Sequence, residues 1–145
     1  MKENDFDLLD KQKIEAGKAQ FDEFRINAEK SDCWKEAVQG IETRCRNLGV
    51  EEQSYLAIDF TNCHVSQSGR KTYPCWRGTH SIKECTGDMD ETTFTAYTTF
   101  FTHVANICFY LKSELWQQKT ENTISKLSKT TEDVASQLED SDKKQ

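Results

Sequence analysis

Proline occurs once in this chain and glycine only six times. With so few residues that break a backbone ladder or supply left-handed turns, a fold built from many hairpins is disfavoured and long helices are favoured. Long apolar runs are also missing: none approaches the roughly 20 residues that a membrane-spanning helix needs. Hydrophobic residues make up only 35% of the 145, enough for one domain with a modest core and an extended appendage. Positive charge is in deficit, with 19 Lys and Arg against 25 Asp and Glu and a net charge of −6. An acidic chain without a clustered cationic patch is a poor candidate for binding nucleic acid or an anionic membrane surface. The opening stretch MKENDFDLLD is too acidic and polar for a signal peptide. No internal repeat or low-complexity segment occurs. The expectation is a soluble chain, or a piece of a longer one, since nothing in SQLEDSDKKQ marks a natural end.

What the chain does have is cysteine. Six stand at Cys33, Cys45, Cys63, Cys75, Cys85 and Cys108, all in the middle of the sequence. An even, clustered set in a helical protein reads first as three disulfides formed in an oxidising compartment. One pairing is excluded by geometry. Cys33 and Cys45 fall in a single predicted helix, about 18 Å apart at 1.5 Å per residue, beyond the roughly 7 Å that a bridge spans. The remaining connectivity is open.

The pattern along the chain is helical throughout. Ile14, Gly17, Phe21, Phe24 and Ala28 repeat at helical spacing and predict an amphipathic helix from about residue 4 to 30. Ser31 and Asp32 then cap a second helix, CWKEAVQGIETRCRN, which stops near Gly49. VEEQSYLAIDFTN gives a third, with Tyr55, Leu56, Ile58 and Phe60 as its bulk. Between Cys63 and about Ser81 periodicity disappears, which predicts a loop with a short hairpin near Ser68 and Gly69. SIKECTGD suits a single helical turn, and a last helix starts near Met89, capped by Asp88 or Asp90. In it Phe94, Tyr97, Phe101, Val104, Cys108, Leu111 and Leu115 keep a heptad seam. The seam slips at WQQKTEN and resumes with Ile124, Leu127, Thr131, Val134 and Leu138. If helical to about residue 140, this element is about 75 Å long and projects beyond so small a domain.

Chemistry is scarcer than cysteine number suggests. Cys63, His64, Cys75, His80 and Cys85 offer zinc ligands, but there is no C-x₂-C and His64 adjoins Cys63, so a stapled loop is the preferred reading. A nucleophilic cysteine with His64, His80 or His103 as base has no sequence context to single it out. The carboxylates Glu51, Glu52, Asp88, Asp90 and Glu91 lie at helix starts, where the helix dipole accounts for them. Trp34 and Trp76 each adjoin a cysteine and are expected to pack on a bridge, while Trp116 marks the end of the core or an exposed partner contact. A secreted six-cysteine carrier such as an insect odorant-binding protein is a poor match. The short gap that family keeps between its second and third cysteines is seventeen residues in this chain.

The runs DCWKEAVQGIETRCRNL, YLAIDFTNCHVSQSGRKTYPC, IKECTGDMDETTFTAYTTFF and ICFYLKSELWQQKTENTISKL carry a more specific likeness. In this order, with all six cysteines, they resemble the Brambleberry family of nuclear-fusion proteins and its fungal karyogamy and plant gamete-expressed relatives. The resemblance covers roughly residues 31 to 130. It implies the cysteine-rich luminal domain of a nuclear-envelope or endoplasmic-reticulum membrane protein, acting when gamete or pronuclear envelopes merge. A signal peptide and membrane spans belong to that pattern and are absent from this sequence, so the chain corresponds to the ectodomain alone. No N-x-[ST] sequon occurs, only the rarer Asn106-Ile107-Cys108.

The resulting expectation is an all-α, disulfide-stapled domain with a long coiled-coil-like C-terminal helix. It divides into an amphipathic helix over 1–30, a cysteine-rich head over 31–115 and a polar stem over 116–145. Trp34, Phe60, Trp76, Phe94, Tyr97, Phe100, Phe101 and Trp116 are the core or contact aromatics. No catalytic residue, metal or cofactor is assigned. The expected partner is another protein, or a second copy, met across the perinuclear space, with no nucleic acid involved. The competing readings are a secreted helical binding protein and, further off, a zinc or thiol enzyme.

Overall fold

The computed structural model describes residues 3–115, with side chains from residue 8; the expected stem over 116–145, Trp116 included, lies outside the described residues. Packing separates a first unit, Met1–Lys112, from a second that begins at Ser113. The first unit is helical and holds no strand among the described residues. Its elements are α1 (Glu3–Lys30), α2 (Asp32–Arg44), a 3₁₀ turn (Cys45–Asn47), α3 (Val50–Gln67), α4 (Ile82–Gly87) and α5 over residues 91–115, whose last three residues belong to the second unit.

Local chemistry sets most of the helix ends. Ser31 leaves the helical region, with φ −145° and ψ 125°, and its Oγ accepts a 3.4 Å hydrogen bond from the Trp34 amide. That cap makes the break between α1 and α2 a true helix start. At α4 the Ser81 hydroxyl accepts from the Glu84 amide while the Glu84 carboxylate accepts from the Ser81 amide, a reciprocal capping box. Asp90 caps α5, its Oδ1 accepting from the Thr93 amide at 2.7 Å. Hydrogen bonds from the Thr93 side chain and, after it, the Thr93 amide hold the Asp90 carboxyl below its ordinary range.

The third helix departs from expectation. It runs on through Cys63 and His64 to Gln67, because Cys63 and Val65 are buried in the core and composition alone could not show that. Its end is a glycine-capped turn, not a hairpin. Gly69 takes φ +70°, the Gly69 amide donates to the Ser66 carbonyl at 3.0 Å and the Arg70 amide to the Val65 carbonyl at 2.9 Å.

α3 is buried on nearly every side, through Leu56, Ala57, Ile58, Phe60, Thr61 and Val65, and the other helices wrap it. The predicted stripe of α1 supplies Phe21 and Phe24 to the same cluster as Trp34, Val38, Ile41, Leu56, Phe60, Val104 and Ile107. Trp34 stacks edge-on against Phe24 at 5.3 Å and leans on Phe60 at 5.5 Å. A smaller cluster joins Ala57, Ile58, Cys85 and Tyr97, with Cys75, Phe100 and Phe101 against it. Gly17 lies where α1 crosses α5, so closely that an added methyl would overlap the Asn106 carbonyl.

α5 buries the middle of the heptad seam, at Tyr97, Val104 and Cys108, together with Thr93 and Ile107 beside it, while Phe94 is 46% exposed. All six cysteines are bridged: Cys33 to Cys63, Cys45 to Cys108 and Cys75 to Cys85, with Cα separations of 5.6, 5.1 and 5.6 Å. The first staples α2 to α3, the second ties the 3₁₀ turn to α5, and the third fixes the 68–81 loop to α4.

Candidate contact loop

The chain that leaves α3 at Gly69 returns alongside it, and a row of polar residues on α3 receives it. Glu52, Tyr55, Asp59 and Asn62 stand at the 3, 4, 3 spacing of one helix face. Asn62 gives and takes at once: its Nδ2 donates to the Tyr73 carbonyl at 2.9 Å and its Oδ1 accepts from the Tyr73 amide at 2.8 Å. A side-chain amide thereby does for Tyr73 what a neighbouring strand does in a sheet. Tyr55 Oη donates to the His80 carbonyl.

Arg77 ties the tip down through charge. Its guanidinium reaches Glu52 at 2.9 Å and Asp59 at 3.2 Å and lies 5.3 Å from the Tyr55 ring centre. Glu52 also meets Arg44 at 3.3 Å. Partial burial pushes the Asp59 carboxyl up from its ordinary value, and the Arg77 guanidinium opposes this incompletely.

Between these anchors the loop turns on itself. The Thr79 and His80 amides donate to the Trp76 carbonyl at 3.0 and 2.9 Å, the Trp76 amide donates to His80 Nδ1 at 3.0 Å, and Gly78 takes φ +83°. The Cys75–Cys85 bridge closes the base. The backbone is thus held on both sides of Trp76, whose ring faces outward. It stands 67% exposed, in contrast to the packing on its bridge that the sequence suggested. Trp34, the other tryptophan beside a cysteine, is 2% exposed and serves the core. Phe60 and Tyr97 are core residues, Phe101 is partly buried, and Phe94 projects from α5.

A rigid loop carrying a bare indole is suited to insertion into another molecule, since little conformational freedom remains to be lost on docking. The cysteines a metal or a thiol reaction needs are spent in bridges, and the described residues hold no cluster of three His, Cys, Asp or Glu side chains placed to bind a metal. Sequence reasoning passed over the α3 row. Its signal was the spacing of Glu52, Tyr55, Asp59 and Asn62 along one side of a helix whose middle is otherwise mostly apolar.

A surface cleft of about 570 Å³ lies elsewhere on the same unit, lined by Phe24, Trp34, His64, Thr99, Phe100 and His103 among others. Trp34 Nε1 and His103 Nδ1 are the buried side-chain polar atoms without a partner among the described residues. Burial pushes the His103 imidazole down from its ordinary value against a smaller upward pull from Glu23.

No family model matches the chain, and no solved structure matches it. Over 98 residues, 68% of this chain and 16% of the relative, it is 32% identical to Protein brambleberry of Danio rerio. Over 111 residues, 75% of this chain and 19% of the relative, it is 22% identical to Protein GAMETE EXPRESSED 1 of Arabidopsis thaliana. The chain therefore spans less than a fifth of the length of these curated relatives.

Proposed function

This chain belongs to the brambleberry and gamete-expressed family, and on that premise we propose that it is a non-enzymatic module acting in the merging of nuclear envelopes at fertilisation. It works from the luminal side of a nuclear-envelope or endoplasmic-reticulum membrane protein, by gripping a protein partner. Three bridges are characteristic of oxidising surroundings, among them the lumen of the endoplasmic reticulum, which supports the luminal location.

The observation that carries the reading is the loop around Trp76. Tethers from Glu52, Tyr55, Asp59 and Asn62, together with a disulfide, immobilise a segment whose largest side chain is two-thirds exposed. Exposed, pre-organised tryptophan is the side chain most often found at the energetic centre of protein contacts. The module contributes adhesion, while the membrane anchors and the remaining four-fifths of such a protein supply reach and force.

The test is made in the full-length protein in its own gametes. Trp76→Ala leaves all six cysteines resistant to alkylation until reduced, leaves the melting temperature within a degree or two, and stops nuclei from fusing after cell fusion. Nuclear fusion at the normal rate in that variant would remove the loop from the mechanism. Cysteines that alkylate without reduction would remove the luminal assignment.

A further inference from the structure

Among the described residues, the inward stripe of α1 leaves the far side of that helix uncovered. Leu9 and Ile26 are 52% and 55% exposed; between them Gln12, Ala19 and Glu23 are exposed and Ala16 is half-buried. These six positions follow a spacing of 3, 4, 3, 4, 3 and so share one side of the helix. At 100° per residue that side lies about 140° around the axis from the Gly17, Phe21 and Phe24 stripe.

The row has the same character read from either end: a large aliphatic, a polar residue, then alanine at the centre. Laid antiparallel about a twofold axis passing between Gly17 and Lys18, a second copy matches Leu9 with Ile26, Gln12 with Glu23 and Ala16 with Ala19. The alanines let the two helix axes approach closely, and the aliphatic pairs close both ends of the seam. The Gln12 amide is placed to donate to the Glu23 carboxylate of the second copy, twice by symmetry. A parallel arrangement loses this, since it sets Glu23 against Glu23 with no cation between them.

We propose that this face of α1 is a homodimer surface, occupied by the same face of a second copy running antiparallel. A heterologous partner gives no reason for the row to be self-complementary, whereas a twofold interface requires it. Only about three heptads are involved, and Glu15 and Asp22 of the two copies approach one another along one edge. The dimer is therefore weak and reversible, and added salt tightens it by screening those carboxylates. The surface shares no residue with the Trp76 loop, so either proposal stands if the other fails.

Sedimentation equilibrium of the 145-residue chain, from about 10 μM to about 1 mM, the range of weak interfaces, tests this. The wild type passes from monomer to dimer, and more readily at higher salt. Ala19→Glu abolishes the dimer, with helicity and bridges intact because the site is exposed. Gln12→Lys tightens it about threefold by giving Glu23 a cation at each symmetric contact. Adding Glu23→Lys to Gln12→Lys reverses that gain. A chain that stays monomeric throughout the range overturns the proposal. So does self-association that ignores Ala19→Glu, which assigns it to another segment, or one that Gln12→Lys weakens, which assigns it to a parallel pair.

Discussion

Gly17 sits where α1 and α5 approach too closely to admit a side chain, and replacing it with alanine tests that crossing directly. The added Cβ would fall within 2.7 Å of the Asn106 carbonyl carbon and 2.9 Å of Tyr110 Cβ, and would overlap the Asn106 carbonyl oxygen. Two of these three atoms are backbone of α5, so no rotamer change relieves the clash; α1 must back away and carry Phe21 and Phe24 partly out of the core. Overpacking of this kind costs about 1–3 kcal/mol, and contacts with immovable backbone belong at the upper end. Alanine returns up to about 1 kcal/mol through its better helix propensity. The net expectation is a loss of about 2 kcal/mol, or about 8 °C in Tm for a unit of this size. Gly40→Ala is the matched control. Its Cβ would meet Leu56 Cδ2 at 3.6 Å, an ordinary contact, so only the propensity gain remains and the chain is stabilised by about 0.5–1 kcal/mol. Thermal and urea unfolding of both variants, bridges intact, reads the two signs. If Gly17→Ala melts at or above the wild type, α1 does not pack on α5 through this glycine, and the reasoning about that interface is wrong.

The three bridges are expected to rank by the chain they close. Removing Cys45–Cys108, which spans 63 residues, costs about 4 kcal/mol, against about 3 kcal/mol for Cys75–Cys85, which spans 10; urea unfolding of the paired alanine variants decides the order. Asn62→Ala leaves both backbone groups of Tyr73 without their partner, at about 1–3 kcal/mol. Hydrogen exchange should quicken at Tyr73 and its loop neighbours and hardly change in the α5 core; unaltered exchange at Tyr73 would show that the clamp holds nothing. His103 favours its neutral form in the folded state, so the unfolded chain binds the extra proton first as pH falls below about 6.5. Stability should therefore decline from about pH 6.5 downward through the folded-state value, and His103→Gln should flatten that part of the pH–Tm curve; an unchanged slope would place the acid sensitivity elsewhere.

Several elements were legible because their causes are local. The stripe from Ile14 to Ala28, the Ser31 cap, the single turn opened by Ser81 and the Asp90 start of α5 each depend on residues within about one turn of one another. The cysteine argument worked for a similar reason, since helix rise alone keeps Cys33 from Cys45. The run from Cys63 to Gln67 failed as a loop because its helicity depends on Cys63 and Val65 being buried by residues far along the chain. Ile107, wholly buried, lies off the heptad seam and was missed for the same reason: which side of α5 faces inward is chosen by α1 and α3.

Composition and spacing by themselves determined an all-helical chain, its main helix starts, its cysteines as bridges and its family likeness, because these depend on short-range sterics, hydrogen bonding and residue order. Only the tertiary structure decided which cysteines meet, which tryptophan is buried and which is presented, and how a loop without periodicity becomes rigid. Those outcomes depend on distances between residues remote in sequence. Trp34 and Trp76 each stand beside a cysteine, yet one finds Phe24 and Phe60 against its ring while the other is two-thirds exposed on a loop tied down by Asn62, Arg77 and a bridge.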